Sequence, residues 1–181
     1  MNRLQQSLVW LRRVWHCRGF GIQSPTDYRF VRYVINEHWP YYCYEQLGKN
    51  DNCTSKKLGR LYFRLANHLQ PTTIIDKVGA GEYLKAGCSK ARIIDHTQGL
   101  ADIGPDQTID LALVPIQTEF QRLFSSCNEK SVVVFENIYK HPSLWHCIEY
   151  DRRTTVTFDL YYCGIVIFDK SRSPANYIVN F

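Results

Sequence analysis

The sequence contains no hydrophobic run of the length that a membrane span requires. Its longest apolar stretch, around 165–168, has the length of a strand, whereas a membrane helix needs about 20 residues. The first residues lead into a stretch broken by Arg12 and Arg13, without the apolar centre or the small-residue cleavage site of a signal peptide. These absences predict a soluble protein of the cytoplasm with no membrane partner.

Cysteine is present, but not in the pattern of a disulfide framework or a zinc site. The chain has seven cysteines, an odd number, and no two have the C-x-x-C spacing. A secreted domain favours an even set, and a structural zinc site needs paired short spacings. The sequence therefore predicts reduced thiols.

Several catalytic motifs are also missing. The sequence contains no G-x-S-x-G elbow, no phosphate loop ending in G-K-[ST] and no H-E-x-x-H motif. His141 and His146 are five residues apart, a poor spacing for a shared helix face. We interpret them as solvated or capping histidines.

What the chain does contain is typical of a folded domain. Its 181 residues are 45% hydrophobic, 14% aromatic and 22% charged, which excludes a disordered or low-complexity chain. The net charge of +5 is unevenly placed, because residues 1–60 carry 10 Lys and Arg against 4 Asp and Glu. Such asymmetry indicates either a solvated basic face or an anionic partner.

The N-terminal 57 residues are predicted to form a helical extension followed by a loop. An amphipathic helix is expected over 3–16, with an apolar stripe of Leu4, Leu8, Leu11 and Trp15. We expect this stripe to dock on the remaining domain or on a second copy of the chain, giving a homodimer. The alternative is a positive face for an anion such as RNA, built from Arg12, Arg13, Arg18, Arg29 and Arg32.

An aromatic cluster follows at Trp39, Tyr41, Tyr42 and Tyr44. Aromatic side chains bury large areas, which favours an apolar cover over a sheet. The alternative interpretation is a surface on which bases stack.

Residues 58–181 alternate between helical and strand patterns, which indicates a parallel sheet. Strands are predicted near 72–76, 91–95, 108–114 and 131–138. Two more, at 154–160 and 164–169, are too close for a crossover helix and must be antiparallel. The predicted fold class is α/β, with a mostly parallel Rossmann-like sheet, a C-terminal antiparallel hairpin and the N-terminal helical extension.

This pattern resembles the class I S-adenosylmethionine-dependent methyltransferase superfamily, as a shortened and degenerate member. The resemblance covers residues 58–181, with a further similarity at 18–25 to an extension of some bacterial members. It is carried by LGRLYFRLAN at 58–67, TTIID at 72–76, SVVVFENI at 131–138, TTVTFDL at 154–160 and GIVIF at 164–168.

The resemblance implies a cofactor site for S-adenosylmethionine at the carboxyl ends of the strands. Asp76, Gly79 and Gly81 match the acid and two of the glycines of the family's cofactor turn. Glycine is usual in that turn because it lets the backbone approach a nucleotide closely. Asp95 follows Asp76 by 19 residues, the distance expected of an acid that binds ribose hydroxyls. The structural alternative is a simple strand-to-helix turn. Glu82 departs from the family pattern, since it stands where a third glycine is usual.

Two further departures bear on activity. The connection at 96–107 is too short for the helix, strand and helix that family members usually insert there. Some relatives hold a metal with an acid at the end of the fourth strand, and this chain has Pro115 there. We therefore predict no metal.

The resemblance implies acceptor contacts at Glu136, Asn137 and Tyr139, after the fifth strand of the family's sheet. Positioning of donor and acceptor supplies most of the rate in such enzymes, so the sequence names no catalytic residue. The function predicted is that of a methyltransferase-like domain acting on a small molecule or RNA. The alternative is a non-catalytic binding or scaffold protein that keeps the fold.

Overall fold

The computed structural model describes residues 3–17, 19–47, 55–94 and 108–181, with side chains described from Ser7 onward. Six α-helices lie within these ranges: α1 (Arg3–Arg12), α2 (Pro25–Phe30), α3 (Lys56–Leu69), α4 (Gly81–Gly87), α5 (Phe120–Ser125) and α6 (Pro142–Glu149). The described strands are β1 (Thr73–Asp76), β2 (Arg92–Ile94), β3 (Ile109–Pro115), β4 (Cys127–Glu136), β5 (Val156–Asp159), β6 (Cys163–Ile167) and β7 (Ala175–Ile178).

The strands form one sheet in the order β2-β1-β3-β4-β6-β5-β7. Strands β2, β1, β3 and β4 are parallel to one another, whereas β6 is antiparallel to both β4 and β5. The predicted α/β class, with a mostly parallel Rossmann-like sheet, a C-terminal antiparallel hairpin and an N-terminal helical extension, is confirmed. Asp95 and the connection at 96–107 lie outside the described residues.

Two apolar layers cover the sheet, because its central strands are buried on both faces. Alternate residues of β4, such as Val132 and Val133, point to opposite layers. One layer receives α2, α3 and α4 through Phe30, Leu61 and Leu84. The other receives α5 and α6. Continuous apolar runs of this kind are what parallel strands covered by helices require.

Helix α2 begins as its sequence predicts. The Ser24 side chain accepts a hydrogen bond from the Asp27 amide, and Pro25 occupies the first helical position. The helix then widens into one π-helical segment, Val31–Ile35. The guanidinium of Arg64 in α3 donates to the carbonyls at the end of this segment, which fixes the N-terminal extension to the α/β domain.

Helices α3 and α4 approach closely because glycines lie at their contact. A β-carbon on Gly59 would fall 2.4 Å from the Tyr83 ring, and one on Gly87 would fall 2.4 Å from the Phe63 carbonyl oxygen. Helix α4 is therefore held tightly against α3. This contact fixes the position of the turn between β1 and α4.

Strand β4 ends two residues before its predicted end. Asn137 adopts a left-handed backbone conformation with φ of 63°, which stops the extended strand at Glu136. Asparagine tolerates this conformation better than most residues. The Asn137 amide then donates to the carbonyl of Tyr162, so the chain beyond β4 stays attached to the β5–β6 hairpin.

The N-terminal segment is attached to the domain by polar contacts at and just after the end of α1, while the apolar stripe stays largely exposed. Leu8, Leu11 and Trp15 are each more than half exposed. Arg13 instead pairs with Asp159 at the end of β5. The expectation that the stripe docks on the domain is therefore wrong for these three residues, because the polar groups nearby supply the attachment. Pairing with a second copy of the chain stays a prediction.

The aromatic cluster at 39–44 divides into covered and exposed members. Tyr41 and Tyr44 pack against Phe63 of α3, with ring centroids 4.9 and 5.3 Å away. Trp39 and Tyr42 are exposed. The predicted cover therefore lies over α3 and uses two of the four residues.

Within the described ranges, no helix combines the length and the apolar character needed to cross a bilayer.

Candidate functional site

The order in which successive strands join the sheet reverses between the parallel neighbours β1 and β3. Strand β2 lies on one side of β1, while β3 and β4 lie on the other. In open α/β sheets, ligands bind outside the carboxyl ends of the strands at such a switch point. The carboxyl end of β1 is Asp76, and the next strand ends at Pro115. The sequence-predicted cofactor turn therefore lies at the expected edge of the sheet.

Asp76 organises the turn that follows β1. Its side chain is buried, and its Oδ1 atom accepts hydrogen bonds from the amides of Val78 at 3.0 Å and Gly79 at 2.9 Å. Gly79 has φ of 78°, a left-handed conformation that glycine adopts without a steric cost. The acid and the first glycine thus form one fixed turn, as their spacing predicts.

Gly81 begins α4, and the described residues leave space beside it above the turn. Among them, one atom lies within 4 Å of a β-carbon placed on Gly81, the Asp76 Oδ2 atom at 3.8 Å. Glu82, in the place of the usual third glycine, is exposed on the first turn of α4 and does not obstruct the contact with α3. That close helix packing comes instead from Gly59 and Gly87.

The predicted acceptor residues come together in one cleft. Glu136, Asn137 and Tyr139 line a cleft of about 960 Å³ above the carboxyl end of β4 and the β5–β6 hairpin. Helix α1 and the start of α3 form its other walls. Its size lies within the range of small-molecule sites, about 300–1,000 Å³. The structure therefore places all three residues at a cavity.

Three tyrosines form one side of this cleft. The rings of Tyr139 and Tyr161 stack with centroids 5.1 Å apart, and the Tyr162 ring packs edge-on against both. The Arg13 guanidinium lies 5.3 Å from the Tyr161 centroid. This arrangement gives the cleft an aromatic wall whose hydroxyl groups can contact a polar ligand. We call it the tyrosine cleft.

Glu136 connects the tyrosine cleft with the cofactor turn. Its Oε1 atom accepts a hydrogen bond of 2.5 Å from the hydroxyl of Tyr62, a fully buried residue of α3. Burial raises the pKa of Glu136, the Tyr62 hydrogen bond lowers it, and the neighbouring charge of Asp76 raises it. The balance is a raised pKa. The Asp76 carboxyl group thus contributes to the raised pKa of Glu136 at the same edge of the sheet.

Arg13 holds the N-terminal wall of the tyrosine cleft in place. Its guanidinium donates to both carboxylate oxygens of Asp159, at 2.8 and 2.9 Å, and to the Asp159 carbonyl at 3.1 Å. The Asn180 side chain also donates to the carbonyl of Trp10 in α1. The wall is therefore attached to two separate segments of the domain, one at Asp159 and one at Asn180.

The described residues contain no group of three or more His, Cys, Asp or Glu side chains arranged to hold a metal ion. Pro115 lies opposite Glu136 in the β3–β4 register. Proline offers no side-chain ligand atom for a metal beside Glu136.

Sequence reasoning missed four residues of the site: Tyr62, Arg13, Tyr161 and Tyr162. The two tyrosines of the hairpin turn could have been noticed, because polar aromatic residues in a turn at the sheet edge suggest a binding surface. The partners of Tyr62 and Arg13 lie 74 and 146 residues away along the chain. A single sequence carries no signal for such pairs.

Comparison with known proteins supports the fold. No protein-family model matches the sequence, and no curated protein gives a significant match. A crystal structure of a methyltransferase from Geobacter sulfurreducens is similar, with a TM-score of 0.54 and 14% sequence identity. The alignment covers 71% of this chain and 88% of that one. The chain therefore has a methyltransferase-like fold, and an identity this low extends no further than the fold.

Proposed function

We propose that this chain binds S-adenosylmethionine at the turn after β1 and receives a methyl acceptor in the tyrosine cleft. The observation that carries the proposal is the turn itself. Asp76 is buried at the switch point, its Oδ1 atom fixes the amides of Val78 and Gly79, and among the described residues just the Asp76 carboxylate comes within 4 Å of a β-carbon placed on Gly81. This is the geometry that lets a backbone approach a nucleotide-type cofactor closely.

The charge of the site also suits this ligand. S-adenosylmethionine carries a sulfonium and an ammonium group, and when bound it would supply an electrophilic methyl group. The carboxyl group of Asp76 lies near enough to Glu136 to raise the pKa of Glu136. A cationic ligand between acids of this kind favours their ionised forms. We propose that Asp76, Gly79 and Gly81 hold the cofactor, and that Asp95 assists them.

The residues of the tyrosine cleft would orient the acceptor. Glu136 accepts a hydrogen bond from Tyr62 and can accept another from an acceptor hydroxyl or amine. Tyr139 supplies an aromatic face with a hydroxyl group at its rim, and Asn137 supplies an amide. Orientation of this kind is the main contribution that the protein makes to a transfer between bound groups.

A second candidate is a binding or scaffold protein without methyl transfer. Glu82 in the place of the family's third glycine and the short connection at 96–107 favour it. Under this alternative the tyrosine cleft still binds a small molecule, while the turn after β1 serves the fold alone.

Thermal unfolding with S-adenosylmethionine and S-adenosylhomocysteine separates the two candidates. A ligand at 100 times its dissociation constant stabilises the folded state by about 2.7 kcal/mol. For a chain of this length, such a gain raises the melting temperature by roughly 5–11 °C. No change at millimolar concentrations of either compound would favour the second candidate and remove the first.

The variant Gly81→Val tests the location. The glycine has an ordinary backbone conformation, and its β-carbon position is open, so we expect the variant to fold. Its side chain would occupy the space above the turn and lower the affinity for S-adenosylhomocysteine at least tenfold. Ala86→Ser, on the exposed side of α4, is the matched control and should bind as the natural chain does.

A further inference from the structure

A second large cleft lies beside the tyrosine cleft, and the proposed methyl transfer does not use it. It has a volume of about 1120 Å³ and lies between the 35–45 segment, the outer side of α3 and the C-terminal residues. Trp10, Lys57, Asn180 and Phe181 line both clefts, so the two are continuous. We call this second cleft the basic groove.

Three cations on α3 face the basic groove: Lys56, Lys57 and Arg60. All three are exposed, and none takes part in an ion pair among the described residues. The Lys57 amine lies 4.5 Å from the centroid of the Phe181 ring, and the Arg60 guanidinium lies 4.8 Å from that of Tyr44. Aromatic faces therefore position two of these cations without neutralising their charge.

Aromatic side chains complete the basic groove. Trp39 is 72% exposed, Tyr42 is 98% exposed and Trp10 is 51% exposed, and all three line it. Large aromatic residues left in water at a concave surface indicate a binding site rather than a core. The acids Glu37 and Glu45 also line the groove, against the three exposed cations and the buried Arg64, so the local charge is positive.

Exposed rings beside unpaired cations are the chemistry of single-stranded nucleic acid recognition. Bases stack on aromatic faces without regard to sequence, while Lys and Arg contact the phosphates. A duplex keeps its bases stacked inside, where Trp39 and Tyr42 could not reach them. A lipid surface is too broad to follow a concave groove. The observations therefore favour a flexible polyanion that carries planar groups.

We propose that the basic groove binds single-stranded nucleic acid, with Trp39 and Tyr42 stacking on bases and Lys56, Lys57 and Arg60 contacting phosphates. This proposal does not depend on the cofactor, and it holds for either candidate function. Since the basic groove opens into the tyrosine cleft, a bound nucleic acid would pass the residues that line that cleft.

Fluorescence anisotropy with a labelled ten-nucleotide oligouridine tests the proposal on the full chain. Neutralising three phosphates of a single strand gives a slope of about −2 for log affinity against log salt concentration. The affinity should therefore fall about 20-fold between 50 and 200 mM salt. A triple variant, with Lys56→Gln, Lys57→Gln and Arg60→Gln, removes the three cations. It should weaken binding at 50 mM salt and flatten the slope of log affinity against log salt concentration.

Two further variants make the test specific. Trp39→Ala with Tyr42→Ala should lower the affinity at least tenfold and keep the salt slope, because stacking is lost and the phosphate contacts remain. The matched control removes three exposed cations elsewhere, in Arg122→Gln, Lys130→Gln, Lys170→Gln, and should bind as the natural chain does.

Three results would overturn the proposal: no binding at 50 mM salt, an equal loss in the control variant, or binding to anionic vesicles without binding to the oligonucleotide. A titration of the same protein with S-adenosylhomocysteine reports on the cofactor site separately. Failure at the basic groove is thereby distinguished from failure of the proposed function.

Discussion

The hydroxyl of Tyr62 donates a hydrogen bond of 2.5 Å to Glu136 Oε1, which joins the middle of α3 to the last residue of β4. Tyr62 is fully buried, and Glu136 has a raised pKa because burial disfavours its charged form. The bond lies between the cofactor turn and the tyrosine cleft. It therefore contributes to the stability of the fold and lowers the pKa of the Glu136 carboxyl group, against the larger effect of burial.

The variant Tyr62→Phe should be less stable, and more so at neutral than at acid pH. Removing the hydroxyl leaves a buried carboxylate short of a donor, at a cost of about 1–3 kcal/mol. The folded-state pKa of Glu136 lies above its unfolded value, so its contribution to stability is present at acid pH and is lost as the pH rises through the folded pKa. Without the Tyr62 hydroxyl, the folded-state pKa of Glu136 rises further, so the stability lost between acid and neutral pH increases. Urea unfolding at pH 4.5 and pH 7.5 measures the difference.

The variant Glu136→Gln is the control for that experiment. It keeps an oxygen acceptor for Tyr62 and removes the titrating group. Combining it with Tyr62→Phe should give a loss of stability that is the same at both pH values. An equal loss at both pH values in the single variant Tyr62→Phe would contradict the role assigned to Glu136.

The pair Arg13–Asp159 should carry much of the attachment of α1. Both side chains are mostly covered, and the bond uses both carboxylate oxygens. Hydrogen bonds to charged groups contribute about 1.5–3 kcal/mol, so we expect Arg13→Ala to lower the free energy of unfolding by about 2 kcal/mol. The neighbouring Arg12 is exposed and serves as a control with the same change of charge. Chemical denaturation should show Arg12→Ala within about 0.5 kcal/mol of the natural chain. Equal effects of the two variants would show that the pair does not anchor the helix.

Two glycine-to-alanine changes in helices should have opposite outcomes. Alanine favours a helix over glycine by about 1 kcal/mol. At Gly59, however, the new β-carbon would lie 2.4 Å from the Tyr83 ring, whereas at Gly81 it meets an ordinary contact. Overpacking of this kind costs about 1–3 kcal/mol. Melting temperatures should fall for Gly59→Ala and stay the same or rise for Gly81→Ala. A Gly59→Ala variant as stable as the natural chain would show that α3 and α4 can separate freely.

The exposed stripe of α1 predicts association with a second copy of the chain. Leu8, Leu11 and Trp15 are each more than half exposed, and together they form an apolar patch at the surface. Sedimentation velocity over a range of concentrations should show a monomer–dimer equilibrium. Leu11→Gln with Trp15→Gln should shift it to the monomer, while Arg12→Ala should not. A natural chain that stays monomeric at high concentration would contradict this prediction.

The sheet could be predicted from the sequence because its signals are local. The run Val132–Phe135 is apolar at every position, as a strand buried on both faces requires, and the short link before Gly164 excludes a parallel crossover. Strand β7 was missed. Its residues alternate between exposed and partly buried, and it exists because the edge of β5 offers a partner.

The turn after β1 could likewise be predicted, because Asp76, Gly79 and Gly81 lie within six residues of one another. The tyrosine cleft could be predicted in part. The side formed by Glu136, Asn137 and Tyr139 lies at and just after the end of β4, but the other walls come from α1 and from the hairpin. Those walls depend on the Arg13–Asp159 pair, which the folded chain alone brings together.

The most direct test of the account is a titration of ¹⁵N-labelled protein with S-adenosylhomocysteine, followed by the backbone amide signals. We predict saturable shifts of the Val78, Gly79 and Gly81 amides, which Gly81→Val should abolish while Ala86→Ser preserves them. Signals that do not move at millimolar ligand, or that move in the tyrosine cleft but not in the turn after β1, would contradict the proposed cofactor site.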